Sequence, residues 1–319
     1  MKRILGILLP LLLAACTNVE VTTTQVVVDT KAAPTNTPFL PAPDTPIPTL
    51  ISTSIPEVPC DPFTADFCIT AGHFILQRPI DSPGNDQIDT TYRYGSTANG
   101  TREPHHGVEF PNESGTPVYA AARGIIIFAG PDKEAIYCPW ANFYGNLVVI
   151  QHDDGLFTLY AHLSKIDVQV GQEVFTTDKI GEVGRTGVAI GSHLHFEVRQ
   201  GDGEDYFATQ NPELWLVPAN DADGAPLGAL EISVVDQDHK LVKYAELTTR
   251  YYLDRSKRHV KSYYGTTYAP ELLNGEESAA FGELPAGDYR VAVKANDKVY
   301  ERWVEVKSGE LTQVVFVVK

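Results

Sequence analysis

Basic residues are scarce in this chain: its 319 residues hold 25 Lys and Arg against 41 Asp and Glu, for a net charge of −16. That scarcity argues against a nucleic-acid partner, because phosphate binding needs a basic face. The acidity itself reports solubility and selects no substrate. Cysteine occurs four times and methionine once, at Met1. No Lys or Arg falls between Lys31 and Arg78. The apolar run from Ile4 to Leu13 is too short to span a bilayer. Between residues 60 and 218 no long 3.6-residue apolar period marks a helix.

What is present begins with Lys2 and Arg3, that short apolar run, and then Leu13-Ala14-Ala15-Cys16. A basic start, an apolar core and small residues read as a secretory signal over 1–15. The four residues ending at Cys16 resemble the lipobox of bacterial lipoproteins, and the resemblance implies a lipidated Cys16 as the mature N-terminus. The expected location is then the cell envelope, on a membrane the sequence does not specify. Export favours one disulfide among Cys60, Cys68 and Cys138, with Cys60 and Cys68 the nearest pair and an odd thiol left over.

Residues 16–59 are rich in Thr, Pro, Val and Ala, with eight prolines between Pro34 and Pro59. Such a segment cannot bury enough apolar surface to offset its ordering entropy and reads as an extended tether. From 60 to 218 short β-like runs alternate with glycine turns: Gly124–Gly130, Asn146–Gln151, Thr158–His162, and Val168–Val174 turning at Gly171. A nearly all-β domain follows. Residues 219–227 read as a linker. Residues 228–319 alternate apolar and polar positions over Leu230–Val235, Tyr289–Lys294, Trp303–Lys307 and Gln313–Lys319, which suggests a small β-sandwich. It resembles the transthyretin-like accessory domains of secreted enzymes.

Of nine histidines, five lie in three short segments: Pro104-His105-His106-Gly107-Val108-Glu109-Phe110, Tyr160-Ala161-His162-Leu163-Ser164, and Gly191-Ser192-His193-Leu194-His195-Phe196-Glu197-Val198. In a strand, residues two apart share a face, so His193 and His195 project side by side. Two imidazoles on one face need a partner when buried, and a divalent metal supplies one. If 104–110 is extended, His105 and Glu109 share a face and His106 points away. His105, Glu109 and His195 then make a two-histidine, one-carboxylate set, the kind that binds catalytic zinc and leaves a position for water. His162 and His193 would flank that water, one imidazole taking its proton and another hydrogen-bonding the oxyanion. Glu197 shares the face of His193 and His195, and reads equally as a partner orienting one of them or as a strand-end carboxylate. Tyr92, Arg93 and Tyr94 read as groove lining or framework. His73, His152, His239 and His259 fit no ligand spacing.

These three segments, with Gly115-Thr116-Pro117-Val118 and Gly184-Arg185-Thr186-Gly187 between them, resemble the lysostaphin/LytM-type zinc endopeptidases over residues 100–200. The resemblance implies a barrel-sandwich (duplicated hybrid) fold and hydrolysis of peptidoglycan peptides with Zn2+ as cofactor. It assigns zinc to His105, Glu109 and His195 and catalysis to His162 and His193. The family's acid is usually Asp, whereas Glu109 stands here, one methylene longer. The site has either adjusted or binds metal less well; retention of all four key histidines favours an adjusted, working site. A relative that binds murein or activates another hydrolase without cutting is the alternative. The sequence leaves open the bond cut, a cross-bridge or a stem peptide, and the oligomeric state. A lipoyl-type carrier is set aside, since no Met-Lys-Met turn exists.

Overall fold

A computed structural model describes residues 59–319 except 99, 274 and 276; Cys16, the signal and the tether up to residue 58 lie outside the described residues. Seven antiparallel strands make the larger sheet of the N-terminal half. Their order is Thr209–Gln210, His193–Gln200, Leu156–Ala161, Asn146–Gln151, Gly124–Pro131 and Glu173–Val174, and Val108–Pro111 also pairs with His193–Gln200. A smaller sheet holds Pro117–Tyr119, Lys179–Glu182 and Lys165–Ile166. The molecule is therefore nearly all-β, with only three short 3-10 turns among the described residues.

Alternation along these strands separates two layers of side chains. Leu194, Phe196 and Val198 join Val108, Phe110, Tyr160, Val148 and Ile150 in the main core. The intervening residues Leu147, Val149, Leu159 and Ala161 face the other way, into a second cluster with Tyr137, Tyr144 and Tyr206. His193, His195, Glu197 and Arg199 have the parity of that second face. Each buried Val, Leu, Ile or Phe contributes roughly 1.5–3 kcal/mol, so one residue of slip, which would carry every such side chain to the wrong face, is strongly disfavoured.

Strand extents follow the sequence pattern with two differences. Val168–Val174 contributes only Glu173–Val174 as strand, because Gly171 (φ +85°) turns the chain and its N–H donates to the Ile126 carbonyl. The extended segment around His105 becomes ladder-paired only at Val108, where pairing with His193–Gln200 begins.

The C-terminal half is a β-sandwich of two four-stranded sheets. One runs Cys68–Thr70, Leu311–Val317, Gly228–Val235, Ala279–Leu284; the other runs Lys261–Thr266, Glu246–Tyr252, Gly287–Ala295, Lys298–Val306. Leu230, Ile232, Val234, Leu247, Val291, Val293, Val304 and Phe316 fill the space between. Cys60 and Cys68 are disulfide-bonded, and Cys138 is a buried free thiol. The two halves share contacts. Tyr94 packs into the sandwich core edge-on to Tyr268, at 5.1 Å between centroids. Buried Arg93 pairs with Glu213 and reaches the Gly282 carbonyl. In the 219–227 segment Asn220 and Pro226 form an isolated bridge.

Candidate metal centre

Register brings the donors together. His195 stands opposite Glu109 on one side and Ala161 on the other, while His105 lies four residues before Glu109, just outside the strand. Glu109 Oε1 is 3.0 Å from His105 Nε2 and 3.2 Å from His195 Nδ1, and the two nitrogens are 3.2 Å apart. A tetrahedral zinc with bonds near 2.0–2.1 Å separates its donors by about 3.3 Å. The triangle fits. Among the described residues this is the set of three or more His, Cys, Asp and Glu side chains close enough to hold one ion.

Partners behind the donors fix which atoms face inward. His105 Nδ1 lies 3.0 Å from the Tyr92 carbonyl, leaving Nε2 for the centre, and its ring stacks on Tyr92 at 4.2 Å. His195 Nε2 lies 3.0 Å from Glu197 Oε1, leaving Nδ1. Glu197 accepts from the Tyr144 hydroxyl at 2.6 Å and from Arg199 Nη2 at 2.7 Å, and Arg199 also donates to the carbonyls of Tyr137 and Gly203. Burial alone would raise the Glu197 pKa; the Arg199 guanidinium and the His195 imidazole overcome it and hold the carboxyl well below its usual range. Burial likewise opposes charge on His195, but Glu109 and Glu197, one at each ring nitrogen, raise its pKa. Such an imidazole selects a positive partner, and a metal ion meets that demand as a proton does. The second Glu109 oxygen, Oε2, is buried with His193 Nε2 2.7 Å away.

The two remaining histidines stand beside the triangle. His162 follows the last residue of its strand with φ +61°, a left-handed turn that re-aims the ring. Its N–H donates to the Tyr144 carbonyl, and its Nδ1 is 2.9 Å from the Thr186 carbonyl. Burial, with His195 and His193 nearby, lowers its pKa to about 3. The ring is neutral, with Nε2 left as acceptor. His162 and His193 rings are 4.9 Å apart, and His162 and His195 rings 5.7 Å. His193 Nδ1 meets the Gly191 carbonyl at 3.0 Å.

His105, Glu109, His162, His193 and His195 thus converge on one cleft of about 610 Å³. His106 also lines the cleft but stays out of the donor triangle, stacked on Tyr206 at 3.8 Å, and burial pushes its pKa down to about 4. Tyr92 lines the cleft, while Tyr94 belongs to the sandwich core. Gly107 lets the ligand strand approach: a Cβ there would meet the Phe196 carbonyl at 2.4 Å and the His195 ring at 3.0 Å. Sequence reasoning missed Arg199 and Tyr144. Arg199 was findable, since 193, 195, 197 and 199 share one strand face; Tyr144 comes from a distant loop and carries no such mark.

Residues 103–207 match the model of Peptidase family M23. Over 95 residues the chain is 42% identical to "Peptidoglycan DD-endopeptidase ShyA" of Vibrio cholerae, covering 30% of this chain and 20% of that protein. The figures are the same for "DD-carboxypeptidase/endopeptidase Mpg" of Neisseria meningitidis: 42% over 95 residues, 30% and 20%. A zinc-containing peptidase from Vibrio cholerae, solved as a crystal structure, is 33% identical over 40% of this chain and 37% of that one, with a TM-score of 0.34. The chain spans about a fifth of the length of the curated relatives it matches. Motif order, converging donors and matched segment agree: residues 103–207 of this chain are a peptidase family M23 domain.

Proposed function

We propose that the chain is a zinc-dependent endopeptidase that hydrolyses amide bonds in peptidoglycan peptides, held at the cell envelope by lipid on Cys16. The observation that carries the catalytic reading is the donor triangle beside two further imidazoles in an open cleft. Zinc held by His105, Glu109 and His195 supplies Lewis acidity and lowers the pKa of a water to about 7. The chain's own groups do the rest. His162, neutral with Nδ1 committed to the Thr186 carbonyl, presents Nε2 to take a proton from the attacking water. His193, its ring 4.9 Å from that of His162 and its Nδ1 held by the Gly191 carbonyl, would in its imidazolium form donate from Nε2 to the oxygen that gains charge. Tyr92 and the apolar Phe143, Val188 and Ile190 line the cleft where a peptide would lie. Peptidoglycan as substrate is supported by the relatives' printed names.

Purified full chain should carry one zinc and release products from muropeptides, read by mass spectrometry, and His195→Ala should lose both. Chelator-insensitive cleavage would sink the metal mechanism. Zinc bound without cleavage of any murein type would favour the binding or activating relative. For the anchor, cells fed labelled palmitate should label the wild-type chain and not Cys16→Ser; equal labelling would remove Cys16 from the account.

A further inference from the structure

The stretch 250–261 inverts the charge of the molecule around it. It holds five of the chain's 25 Lys and Arg (Arg250, Arg255, Lys257, Arg258, Lys261) and one of its 41 acids, Asp254. It closes the hairpin between Glu246–Tyr252 and Lys261–Thr266, and the second of these is an edge strand of the sandwich. The loop is seated at its base. Val260 N–H donates to the Tyr251 carbonyl at 2.8 Å. Arg255 donates to Asp288 at 2.6 Å and lies 5.1 Å over the Trp303 ring.

These contacts leave other side chains of the hairpin in water. Leu253 is 76% exposed, Val260 58% and Tyr264 74%. Arg258 and Lys261 are exposed, and the Lys257 side chain, 3.6 Å from Asp254, is 76% exposed. One exposed apolar residue needs no explanation. Three on one hairpin, interleaved with exposed cations in an acidic protein, make a composition that suits one kind of partner. Cations meet lipid phosphates while apolar side chains enter the headgroup boundary. A soluble polyanion would use the cations and leave Leu253, Val260 and Tyr264 idle.

We propose that the 250–264 hairpin docks the C-terminal sandwich onto a membrane surface of anionic phospholipid. The proposal stands apart from peptide hydrolysis and from lipid on Cys16. The test uses full-length chain carrying Cys16→Ser, mixed with vesicles of phosphatidylcholine alone or of equal parts phosphatidylcholine and phosphatidylglycerol. The apolar run near the N-terminus is common to all variants, so the reading is the difference between them. Binding should be stronger on the anionic vesicles and fall with salt. It should drop about fivefold per cation removed, and further for Lys257→Glu with Arg258→Glu. Leu253→Asp should weaken it with every cation in place. Zinc content and circular dichroism of each variant check that the fold is kept. Equal binding to both vesicle types, or variants that bind as the parent does, would overturn the proposal. So would dextran sulfate binding as tightly as the vesicles with Leu253→Asp neutral, an outcome that assigns the patch to a soluble polyanion.

Discussion

Glu197 touches the metal donors only through His195, yet it is the residue on which the charge balance behind the centre turns. Its two oxygens collect His195, Tyr144 and Arg199, all buried. Glu197→Gln keeps the shape and removes the charge. Zinc affinity, read by competition with a chelator, should fall roughly 10–100-fold, and Arg199 would be left as a buried charge without its counter-ion. An unchanged affinity would reduce Glu197 to packing. The Glu109 departure is also a matter of one methylene. The longer arm still brings Oε1 into the donor triangle, and it puts Oε2 within 2.7 Å of His193. The carboxylate thus spans from the donor triangle to a neighbouring histidine.

Strands, and the places where they meet, decide which residues can act together. His152 sits at such a junction. Just past the strand Asn146–Gln151, it places Nδ1 2.8 Å from the Arg123 carbonyl, beside Gly124–Pro131, and Nε2 2.8 Å from Thr158 Oγ1 in Leu156–Ala161. Burial lowers its pKa below the ordinary 6.5. The unfolded chain therefore binds a proton there that the folded chain refuses, so the His152 contribution is complete above pH 6.5 and is lost as pH falls below it. Chemical denaturation of wild type and His152→Gln at several pH values should show a stability gap that narrows on acidification; a gap independent of pH would refute this role. Local patterning made most of these elements legible, including the face shared by His193 and His195. It could not show that Cys68–Thr70 pairs with Leu311–Val317, because neither segment carries a mark of its partner. Nor could it show that His162 acquires its direction from a positive φ after the strand ends.

Among the described residues, the main core of the N-terminal half and the core of the sandwich are each legible as alternating runs, while the joins between them are not. Arg93 beside Glu213, and Tyr94 in the sandwich core, follow a motif-free stretch, and their distance in sequence from residues 213 and 268 hid the contact. The site was readable because metal chemistry restricts which residue types serve and strand geometry restricts their spacing. The cleft walls were not, since almost any side chain can line a groove.

The sulfur bridge near the start of the described chain has a mechanical meaning. A pull on the segment preceding Cys60 crosses directly to Cys68, so residues 61–67 bear no load. Cys68 is the first residue of a strand laid against Leu311–Val317, and tension therefore enters the sandwich before it can reach the larger sheet of the N-terminal half. Breaking the bridge would lengthen the path between residue 60 and that strand by about 20 Å, the reach of the seven bypassed residues.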